Sequence, residues 1–372
     1  MLAWYDRKKR DLPWRRKPTV YRTLVSEIML QQTVVAAVVP YFERFTARFP
    51  TMQALAAARE EEVLALWSGL GYYSRARHLH RTAQLVVRTL GGKLPANEEA
   101  LRQLPGVGAY TAAAVAAIAF SRRTLPVDGN VARVLARIRG ERRSIDRPAV
   151  RAGLRRLGQP LQPAQRPGDF AQAMMELGAL CCLPREPSCL QCPVSRFCRA
   201  HADHATGAIP VRTKRPAKRR IRLACVAVER RGRLLLVRRP AGALLAGTWT
   251  LPLQEMRPGE AAARAARRTL VGLGLRVQGS PARIGELRHI FTHRDATASL
   301  FRARAWGQVG GPDARWVHAD DRASLPLSTF GRKMIEASLL LPRQPTLPRP
   351  RPRPRSPHSG SPSWDTNSRR PQ

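Results

Sequence analysis

The sequence predicts a multidomain protein in which an all-α module over residues 1–205 precedes an α+β module over residues 223–340. Three observations lead to this fold class. The chain has 372 residues, which is more than the roughly 250–300 that one hydrophobic core usually supports. Apolar residues recur at helical spacing in the first half. Short runs rich in leucine and β-branched residues begin only in the second half.

The first module contains six segments whose apolar residues recur every three or four positions, and we expect a helix in each. These segments are residues 19–38, 53–67, 76–90, 98–104, 109–120 and 131–139. Proline and glycine interrupt helices, so we expect breaks at Pro40, Pro50, residues 69–71, residues 91–92 and Pro105. The module is therefore predicted to be almost entirely helical.

The second module mixes strand and helix patterns. The runs LACVAVE and RLLLVRR flank Gly232 and predict a β-hairpin. The segment AAARAARRTLVGL then predicts a helix, and the alternating pattern in TASLFRARAW is typical of a strand. An α+β fold follows from this order.

The charge is strongly positive, with 65 Lys and Arg against 26 Asp and Glu and a net charge of +39. A polyanion such as nucleic acid is the partner that this charge favours, although a coding bias towards arginine would also raise it. Residues 1–205 carry +16, the linker 206–222 carries +7, residues 223–340 carry +10 and residues 341–372 carry +6. The last segment contains nine prolines and predicts a disordered tail.

Two further features concern the cellular location. No apolar run approaches the roughly 20 residues that a membrane-spanning helix needs. The first residues, MLAWYDRKKRDLPWRR, contain no apolar signal region. We therefore expect a cytoplasmic protein without a membrane partner.

Four cysteines have the spacing C-x6-C-x2-C-x5-C, which is typical of a metal site. They are Cys182, Cys189, Cys192 and Cys198. Disulfides are disfavoured in a chain without a secretion signal, whereas four thiolates can hold either zinc or a [4Fe–4S] cluster. The spacing leaves both metals open. Arg185, between the first two cysteines, is a candidate for contact with a DNA phosphate, and Cys181 and Cys225 lie outside the pattern.

The segment LPGVGAYTAAAVAAIAF places Leu104, Gly106 and Gly108 between two predicted helices. Glycine allows backbone N–H groups to face an anion, and the helix that starts near Ala109 adds its positive end. A dinucleotide-binding turn is excluded because no strand precedes it and the third glycine is missing. A plain helix–helix turn is the alternative, but in a basic chain a clamp on a DNA phosphate is favoured.

Two carboxylates stand where apolar patterning does not require them. Glu27 lies inside the apolar segment LVSEIMLQQTVVAAVV, where burial of an unpaired carboxylate is costly. Asp128 directly precedes a predicted helix, so an N-terminal cap is its structural alternative. Two carboxylates in different environments are the groups that cleave glycosidic bonds, one protonated as an acid and one ionised.

Six motifs follow one another along residues 2–205: SEIMLQQT, GLGYYSRAR, LPGVGAYTA, VDGNVARVL, AMMELGA and the cysteine spacing. Together they resemble the MutY family of adenine DNA glycosylases. The resemblance implies a helix-hairpin-helix glycosylase core with a [4Fe–4S] cluster bound by the four cysteines. It also implies removal of adenine mispaired with 8-oxoguanine or guanine in double-stranded DNA. We expect a monomer that associates with the bacterial nucleoid through DNA.

The same resemblance implies roles for individual residues. Glu27 protonates N7 of the adenine, and Asp128 stabilises the oxocarbenium-like sugar or forms a covalent intermediate with it. Tyr110 and Asn130 position these carboxylates or the sugar by hydrogen bonds. Two further residues fill or wedge the duplex beside the lesion once adenine has been extruded: Gln32 and Tyr72.

Endonuclease III type enzymes are related and form the first alternative, a pyrimidine-lesion glycosylase that also cleaves the strand. They carry a lysine two residues after the last glycine of the hairpin, and that lysine forms a Schiff base. Here the position holds Tyr110, which favours a glycosylase without strand cleavage. A non-catalytic DNA-binding module is the second alternative.

Residues 223–340 resemble the Nudix-like domain that the MutY family carries and endonuclease III lacks. An active Nudix hydrolase needs a cluster of carboxylates for magnesium, whereas ARRTLVGLGL at residues 266–275 contains no acid. Base recognition is therefore favoured over hydrolysis of nucleotides. The segment Phe291, Thr292 and His293 matches the FSH loop of the family, which contacts 8-oxoguanine, with threonine in place of serine.

Overall fold

The computed structural model describes residues 1–214 and 216–340. The predicted tail over residues 341–372 lies outside the described residues. The part of the chain that is described consists of a helical module followed by a module of two packed β-sheets with helices on both sides. The predicted fold class is confirmed.

The helical module is built from short and medium-length helices whose apolar faces meet in two cores. The helices are α1 Leu2–Lys8, α2 Pro13–Arg16, α3 Val20–Leu30, α4 Val35–Arg48, α5 Met52–Ala57, α6 Glu60–Leu66, α7 Ser74–Leu90, α8 Glu98–Arg102, α9 Ala109–Phe120, α10 Gly129–Arg139, α11 Pro148–Gly158, α12 Pro167–Leu180 and α13 Arg199–Ala202. One core lies among α3 to α9, and the other lies between α10, α11, α12 and the cysteine loop.

The predicted helix over residues 19–38 is wrong, because the chain leaves helical geometry after Leu30 and α4 begins at Val35. The helix ends there since the guanidinium of Arg75 donates to the carbonyl oxygens of Ile28 and Met29, which a continuing helix would have used internally. The predicted break at Pro40 is also wrong, because this residue lies inside α4. Its ring lies on the exposed face, where water can reach the carbonyl group that loses its partner.

The predicted helix over residues 53–67 is two helices, α5 and α6, with a short break at Ala58 and Arg59.

Helix α12 approaches α10 closely because of Gly178. A Cβ atom at Gly178 would lie 2.6 Å from Cβ of Asn130, closer than real side chains approach. This glycine therefore sets the distance between two helices that also line the pocket described below.

The second module contains two four-stranded sheets. The strands are β1 Arg219–Ala227, β2 Glu229–Arg230, β3 Arg233–Arg238, β4 Trp249–Thr250, β5 Leu253–Glu255, β6 Arg276–Ile290, β7 Arg294–Trp306 and β8 Ala314–Val317, and the helices are α14 Ala262–Val271 and α15 Thr329–Leu339. The first sheet has the order β5-β1-β7-β6, with β1 and β7 parallel. The second has the order β2-β3-β4, with β8 also paired to β3.

Alternation along β1 divides the core of this module into two layers. Leu223 and Cys225 face the second sheet and α15, whereas Ala224 and Val226 face α14. The predicted hairpin around Gly232 is only partly correct. The run LACVAVE lies mainly in β1 of the first sheet, and the turn at Gly232 joins β3 to the two-residue strand β2.

The linker is partly bound to the helical module. The amide of Ile145 donates to the carbonyl of Val211 at 3.1 Å, and the amide of Thr213 donates to the carboxylate of Asp146 at 3.0 Å. Strand β1 begins at Arg219, so the last residues of the basic segment already belong to the sheet.

The two modules contact each other along α6, α7 and the loop between them. The carboxylate of Glu61 accepts a hydrogen bond from the indole of Trp249 at 3.2 Å. The hydroxyl of Tyr73 donates to the carbonyl of Leu327 at 3.2 Å, and Arg77 donates to the carbonyl of Ala246 at 2.8 Å. In the described residues no helix is long and apolar enough to cross a membrane.

Candidate active site and cysteine loop

A cavity of about 1340 Å³ opens between α2, α3, α9, α10 and α12. It is lined by four residues that the sequence singled out for catalysis: Glu27, Tyr110, Asp128 and Asn130. Helix α3 supplies the first, the start of α9 the second, and the start of α10 the other two. Residues that are about a hundred positions apart in the chain therefore meet in one cavity.

Glu27 is the buried acid of this cavity, with 5 % of its surface exposed. Burial raises its pKa from 4.5 to about 7, and the negative charge of Asp128 adds to this effect. The hydroxyl of Tyr110 donates a 3.0 Å hydrogen bond to Oε2 of Glu27 and partly opposes the rise of the pKa. A carboxyl group with such a pKa can be protonated at neutral pH and act as a general acid.

Asp128 caps the N-terminus of helix α10, which is the non-catalytic role that its position in the sequence predicts. Its Oδ1 accepts a 2.7 Å hydrogen bond from the amide of Val131. Burial raises its pKa, while the amides of Val131 and Asn130 and the charge of Arg133 act in the opposite direction and favour the ionised form. The cap does not exclude a catalytic role, since the carboxylate still faces the cavity.

Asn130 is held by a buried arginine that also reaches the cysteine loop. Arg133 donates to Oδ1 of Asn130 at 3.0 Å, to the carbonyl of Gly178 at 2.7 Å and to the carbonyl of Cys182 at 2.8 Å. Arg133, which is itself anchored by two backbone carbonyls, therefore fixes the position of Asn130 in the cavity.

A further carboxylate of the same cavity was missed from the sequence. Glu176 on α12 is 1 % exposed and is bound by Arg10, at 2.7 Å from Nη2, and by Arg15, at 3.0 Å from Nη2. Arg15 also donates to the side-chain carbonyl of Gln172 at 2.9 Å. Burial alone would raise the pKa of Glu176, but the two arginines outweigh it and hold the pKa below its usual value. The cavity therefore contains carboxyl groups with a raised pKa, Glu27 and Asp128, beside one whose pKa is lowered, Glu176.

The signal that could have identified Glu176 is the one that identified Glu27. Both are carboxylates inside an otherwise apolar helical segment, and Glu176 lies within the motif AMMELGA. The arginines gave no comparable signal because arginine is abundant throughout the chain.

The glycine-containing segment forms the turn between α8 and α9. Gly106 has a φ of +74°, and a Cβ atom there would lie 2.5 Å from Cβ of His78, so only glycine fits. Gly108 is exposed and precedes α9 without a side-chain cap, which leaves the first amides of that helix available to an anion. The side chain of Leu104 is buried in the core, so it can reach DNA only through its backbone.

Gln32 and Tyr72 are exposed and lie in two loops at the edge of the cavity and of the second module. Both residues have left-handed backbone conformations, with φ of +56° and +49°. Such conformations are uncommon for residues other than glycine and occur often at functional sites.

The segment Phe291 to His293 forms the turn between β6 and β7. The ring of Phe291 packs edge-on against Phe330, with ring centroids 5.5 Å apart, and so anchors the turn. Thr292 and His293 are exposed, and the hydroxyl of Thr292 forms a hydrogen bond with the hydroxyl of Tyr72. The structure thus brings together two predicted lesion-binding residues from different modules.

The cysteine loop follows α12 and is held by the buried side chain of Arg137. This guanidinium donates to Sγ of Cys182 at 3.3 Å and to the carbonyls of Leu183 at 2.7 Å and Ile209 at 2.8 Å. Arg185 is exposed at the tip of the loop.

The four thiols of this loop lie close enough to influence one another. Burial raises the pKa of Cys192 and of Cys198, and the neighbouring sulfurs of Cys182 and Cys189 add to the rise. Over residues 1–214 and 216–340, no three His, Cys, Asp or Glu side chains form a site for a single metal ion. Four neighbouring thiols are the donor set that either a zinc ion or a [4Fe–4S] cluster takes, so these residues fit a bound cluster.

Helix α14 occupies the place of the predicted helix in the second module and carries no acidic residue. The carboxylate that precedes it, Glu260, is bound by Arg268 at 2.8 Å and by the amide of Arg257 at 2.9 Å. A set of carboxylates that could hold magnesium is therefore not assembled on this helix.

The fold and the cavity define a helix-hairpin-helix DNA glycosylase joined to a Nudix-like module. The chain matches the model of the HhH-GPD superfamily base excision DNA repair protein over residues 25–160 and that of the NUDIX domain over residues 223–337. A solved thermostable thymine-DNA glycosylase is similar at 30 % identity with a TM-score of 0.50, over 54 % of this chain and 93 % of that chain.

Curated relatives narrow the class. The adenine DNA glycosylase of Rattus norvegicus is 37 % identical, over 90 % of this chain and 76 % of that protein, and that of Homo sapiens is 38 % identical, over 90 % and 72 %. The adenine DNA glycosylase of Mycolicibacterium smegmatis is 41 % identical, over 58 % of this chain and 74 % of that protein. The chain belongs to the adenine DNA glycosylase family.

Proposed function

We propose that this adenine DNA glycosylase removes adenine that is mispaired with 8-oxoguanine or with guanine in double-stranded DNA. The observation that carries the proposal is the cavity itself, in which the buried Glu27, with a pKa of about 7, shares one space with Asp128. This arrangement supplies an acid for the leaving base and an anion for the sugar.

Glu27 is the proposed general acid. In its protonated form it transfers a proton to N7 of the extruded adenine, so that the base leaves as a neutral molecule. The hydrogen bond from Tyr110 holds the carboxyl group at Oε2 and leaves the other oxygen available for the base. Because Tyr110 is a phenol, this position has no amine that could form a Schiff base, so strand cleavage by that route is not expected.

Asp128 is the proposed stabiliser of the sugar. As the bond to adenine breaks, positive charge develops on the deoxyribose, and the ionised carboxylate stabilises it directly or through a covalent bond that water then hydrolyses. The capping amide of Val131 fixes the orientation of the carboxylate. Asn130, fixed by Arg133, is placed to position the sugar or Asp128.

Adenine must leave the helical stack before these groups can reach it. Gln32 and Tyr72, exposed on neighbouring loops, are the proposed wedges that fill the space and stack beside the opposite base. Thr292 and His293 are the proposed contacts to 8-oxoguanine, and Phe291 holds their turn in place. The hydrogen bond between Tyr72 and Thr292 supports this assignment because it joins the wedge to the lesion-reading turn.

The remaining proposed contacts are to the DNA backbone. The turn with Leu104, Gly106 and Gly108 offers backbone amides to one phosphate, and the exposed Arg185 offers a charge to another. The helical module is proposed to extend over residues 1–205 and the lesion-reading module over 223–340. We further propose a monomer located in the cytoplasm and associated with the nucleoid.

Cys182, Cys189, Cys192 and Cys198 are the proposed ligands of a [4Fe–4S] cluster. When bound, the cluster supplies a structural crosslink for the loop that carries Arg185. Arg137 and Arg133 also orient this loop through its carbonyls.

The test is single-turnover release of adenine from matched duplexes that contain 8-oxoguanine:A, G:A, T:A or thymine glycol:A. We expect release from the first two, with the higher rate on 8-oxoguanine:A, and no release from T:A. Excision of thymine glycol instead of adenine would contradict the proposal and favour the endonuclease III type.

A further inference from the structure

Gln32 and Tyr72 have left-handed backbone conformations that their loops must hold. Both side chains are exposed, and a left-handed conformation persists in such residues only when the surrounding structure fixes it. The two residues lie in different loops, one after α3 and one before α7. Their common neighbour is Arg75 on the first turn of α7.

Arg75 binds the loop that carries Gln32 through several groups. Its Nη1 donates to the carbonyls of Ile28 at 3.1 Å and Met29 at 2.8 Å, and also to the carbonyl of Gln31. Its Nη2 donates to Oγ1 of Thr33 at 3.1 Å. The residues on both sides of Gln32 are thus attached to one guanidinium, which leaves little freedom to the backbone between them.

The same guanidinium binds the loop that carries Tyr72. Nη2 donates to the carbonyl of Gly71 at 3.2 Å and reaches the carbonyl of Leu70 at 3.5 Å. Its central carbon lies 5.2 Å from the ring centre of Tyr72 and 5.5 Å from that of Trp67. The cation therefore contacts the aromatic ring of one wedge and the backbone of both loops.

The environment of Arg75 is unusual because, within residues 1–214 and 216–340, no carboxylate is paired with its charge. It is 7 % exposed, and among the described residues no acid forms an ion pair with it. Burial lowers its pKa to about 10, which leaves it charged at neutral pH. Backbone carbonyls, including those at the end of the helix with Glu27, take the place of an acidic partner.

We infer that Arg75 is a positioning residue that fixes the two DNA wedges, Gln32 and Tyr72, relative to each other and to the catalytic helix α3. This inference rests on the wedge function proposed above. Its consequence is that extrusion of adenine depends on a side chain that does not itself line the cavity. A lysine would keep the charge, but a single ammonium group cannot reach two loops with the geometry of a planar guanidinium.

The experiment measures extrusion directly. A duplex with 2-aminopurine opposite 8-oxoguanine is mixed with saturating protein that carries Glu27→Gln, so that the base stays attached, and the fluorescence gain reports the extruded base. We expect Arg75→Lys to reduce the extrusion equilibrium about tenfold or more, since small displacements of positioning groups have effects of this size. Arg88→Lys, on the exposed end of the same helix, is the matched control and should equal the parent.

A second pair of variants applies if Arg75→Lys does not fold, as judged by circular dichroism. Thr33→Ala removes one contact of Arg75 and should reduce extrusion about threefold, the usual effect of one hydrogen bond, whereas Thr33→Ser keeps the hydroxyl and should restore it. Normal extrusion by folded Arg75→Lys, or equal extrusion by both Thr33 variants, would overturn the inference.

Gln32→Ala and Tyr72→Ala separate this inference from the proposed function. If both variants extrude the base normally, the wedge function is wrong and the role of Arg75 falls with it. If they lose extrusion while Arg75→Lys retains it, the wedge function stands and only the role of Arg75 is wrong.

Discussion

The hydroxyl of Tyr110 donates a 3.0 Å hydrogen bond to Oε2 of the buried Glu27. This bond lowers the pKa of Glu27, while burial raises it to about 7. Tyr110 therefore limits the rise of the pKa of Glu27, besides holding the orientation of its carboxyl group.

The first prediction concerns Tyr110→Phe. Loss of the hydrogen bond should raise the pKa of Glu27 further, so the alkaline limb of the single-turnover rate should move to higher pH. The rate on its plateau should fall about tenfold, because the carboxyl group loses its fixed orientation. Tyr41→Phe, whose hydroxyl binds the carbonyl of Ser68 outside the cavity, serves as control. An unshifted alkaline limb would show that Tyr110 does not act on the acid.

The second prediction concerns stability and pH. The pKa of Glu27 is higher in the folded chain than its ordinary value of 4.5, so its contribution to stability is full below pH 4.5 and is lost as pH rises through 7. Glu27→Gln has no such loss. Its free energy of unfolding should exceed that of the parent by about 3 kcal/mol more at pH 8 than at pH 4.5. Parallel pH profiles in chemical denaturation would contradict the raised pKa.

The third prediction concerns the turn between β6 and β7. Thr292→Ala removes the hydroxyl that meets Tyr72 and should narrow the ratio of rates on 8-oxoguanine:A and G:A, as should His293→Ala. Thr292→Ser keeps the hydroxyl and should preserve the ratio. Single-turnover rates on the two duplexes give this ratio, and the same ratio in Thr292→Ala and the parent would remove the turn from lesion recognition.

The fourth prediction concerns the cysteine loop. The purified protein should be brown and contain about four irons per chain. Cys192→Ser should lower the iron content, whereas Cys225→Ala, in the core of the first sheet, should retain it. Measuring the iron and zinc content distinguishes the two sites, since stoichiometric zinc in a colourless protein would favour a zinc site over the cluster.

The fold class could be predicted because periodicity and motif order are local properties of the chain. Glu27 and Asp128 could also be identified from the sequence, since each carboxylate conflicts with the apolar pattern around it. The end of α3 at Leu30 could not be predicted from the sequence, because it depends on Arg75, which lies more than forty positions away. The separation of β1 from β3 into two sheets likewise depends on β5 and β7, which pair with β1 and follow both strands in the chain.

The network of Arg10, Arg15 and Glu176 shows a second limit. Its members come from opposite ends of the helical module, and an arginine has no distinctive signal in a chain with 65 basic residues. Only the carboxylate could have been identified from its apolar surroundings. The hydrogen bond between Tyr72 and Thr292 joins two modules, so it could not be predicted from local sequence patterns either.

The most direct test of the account is the single-turnover rate of adenine release from an 8-oxoguanine:A duplex by the parent, Glu27→Gln and Asp128→Asn proteins. All three should bind the duplex, and each substitution should reduce the rate by about 100-fold or more, because one removes the acid and the other the anion beside the sugar. Near-normal release by either variant would contradict the assignment of that carboxylate, and near-normal release by both would contradict the mechanism.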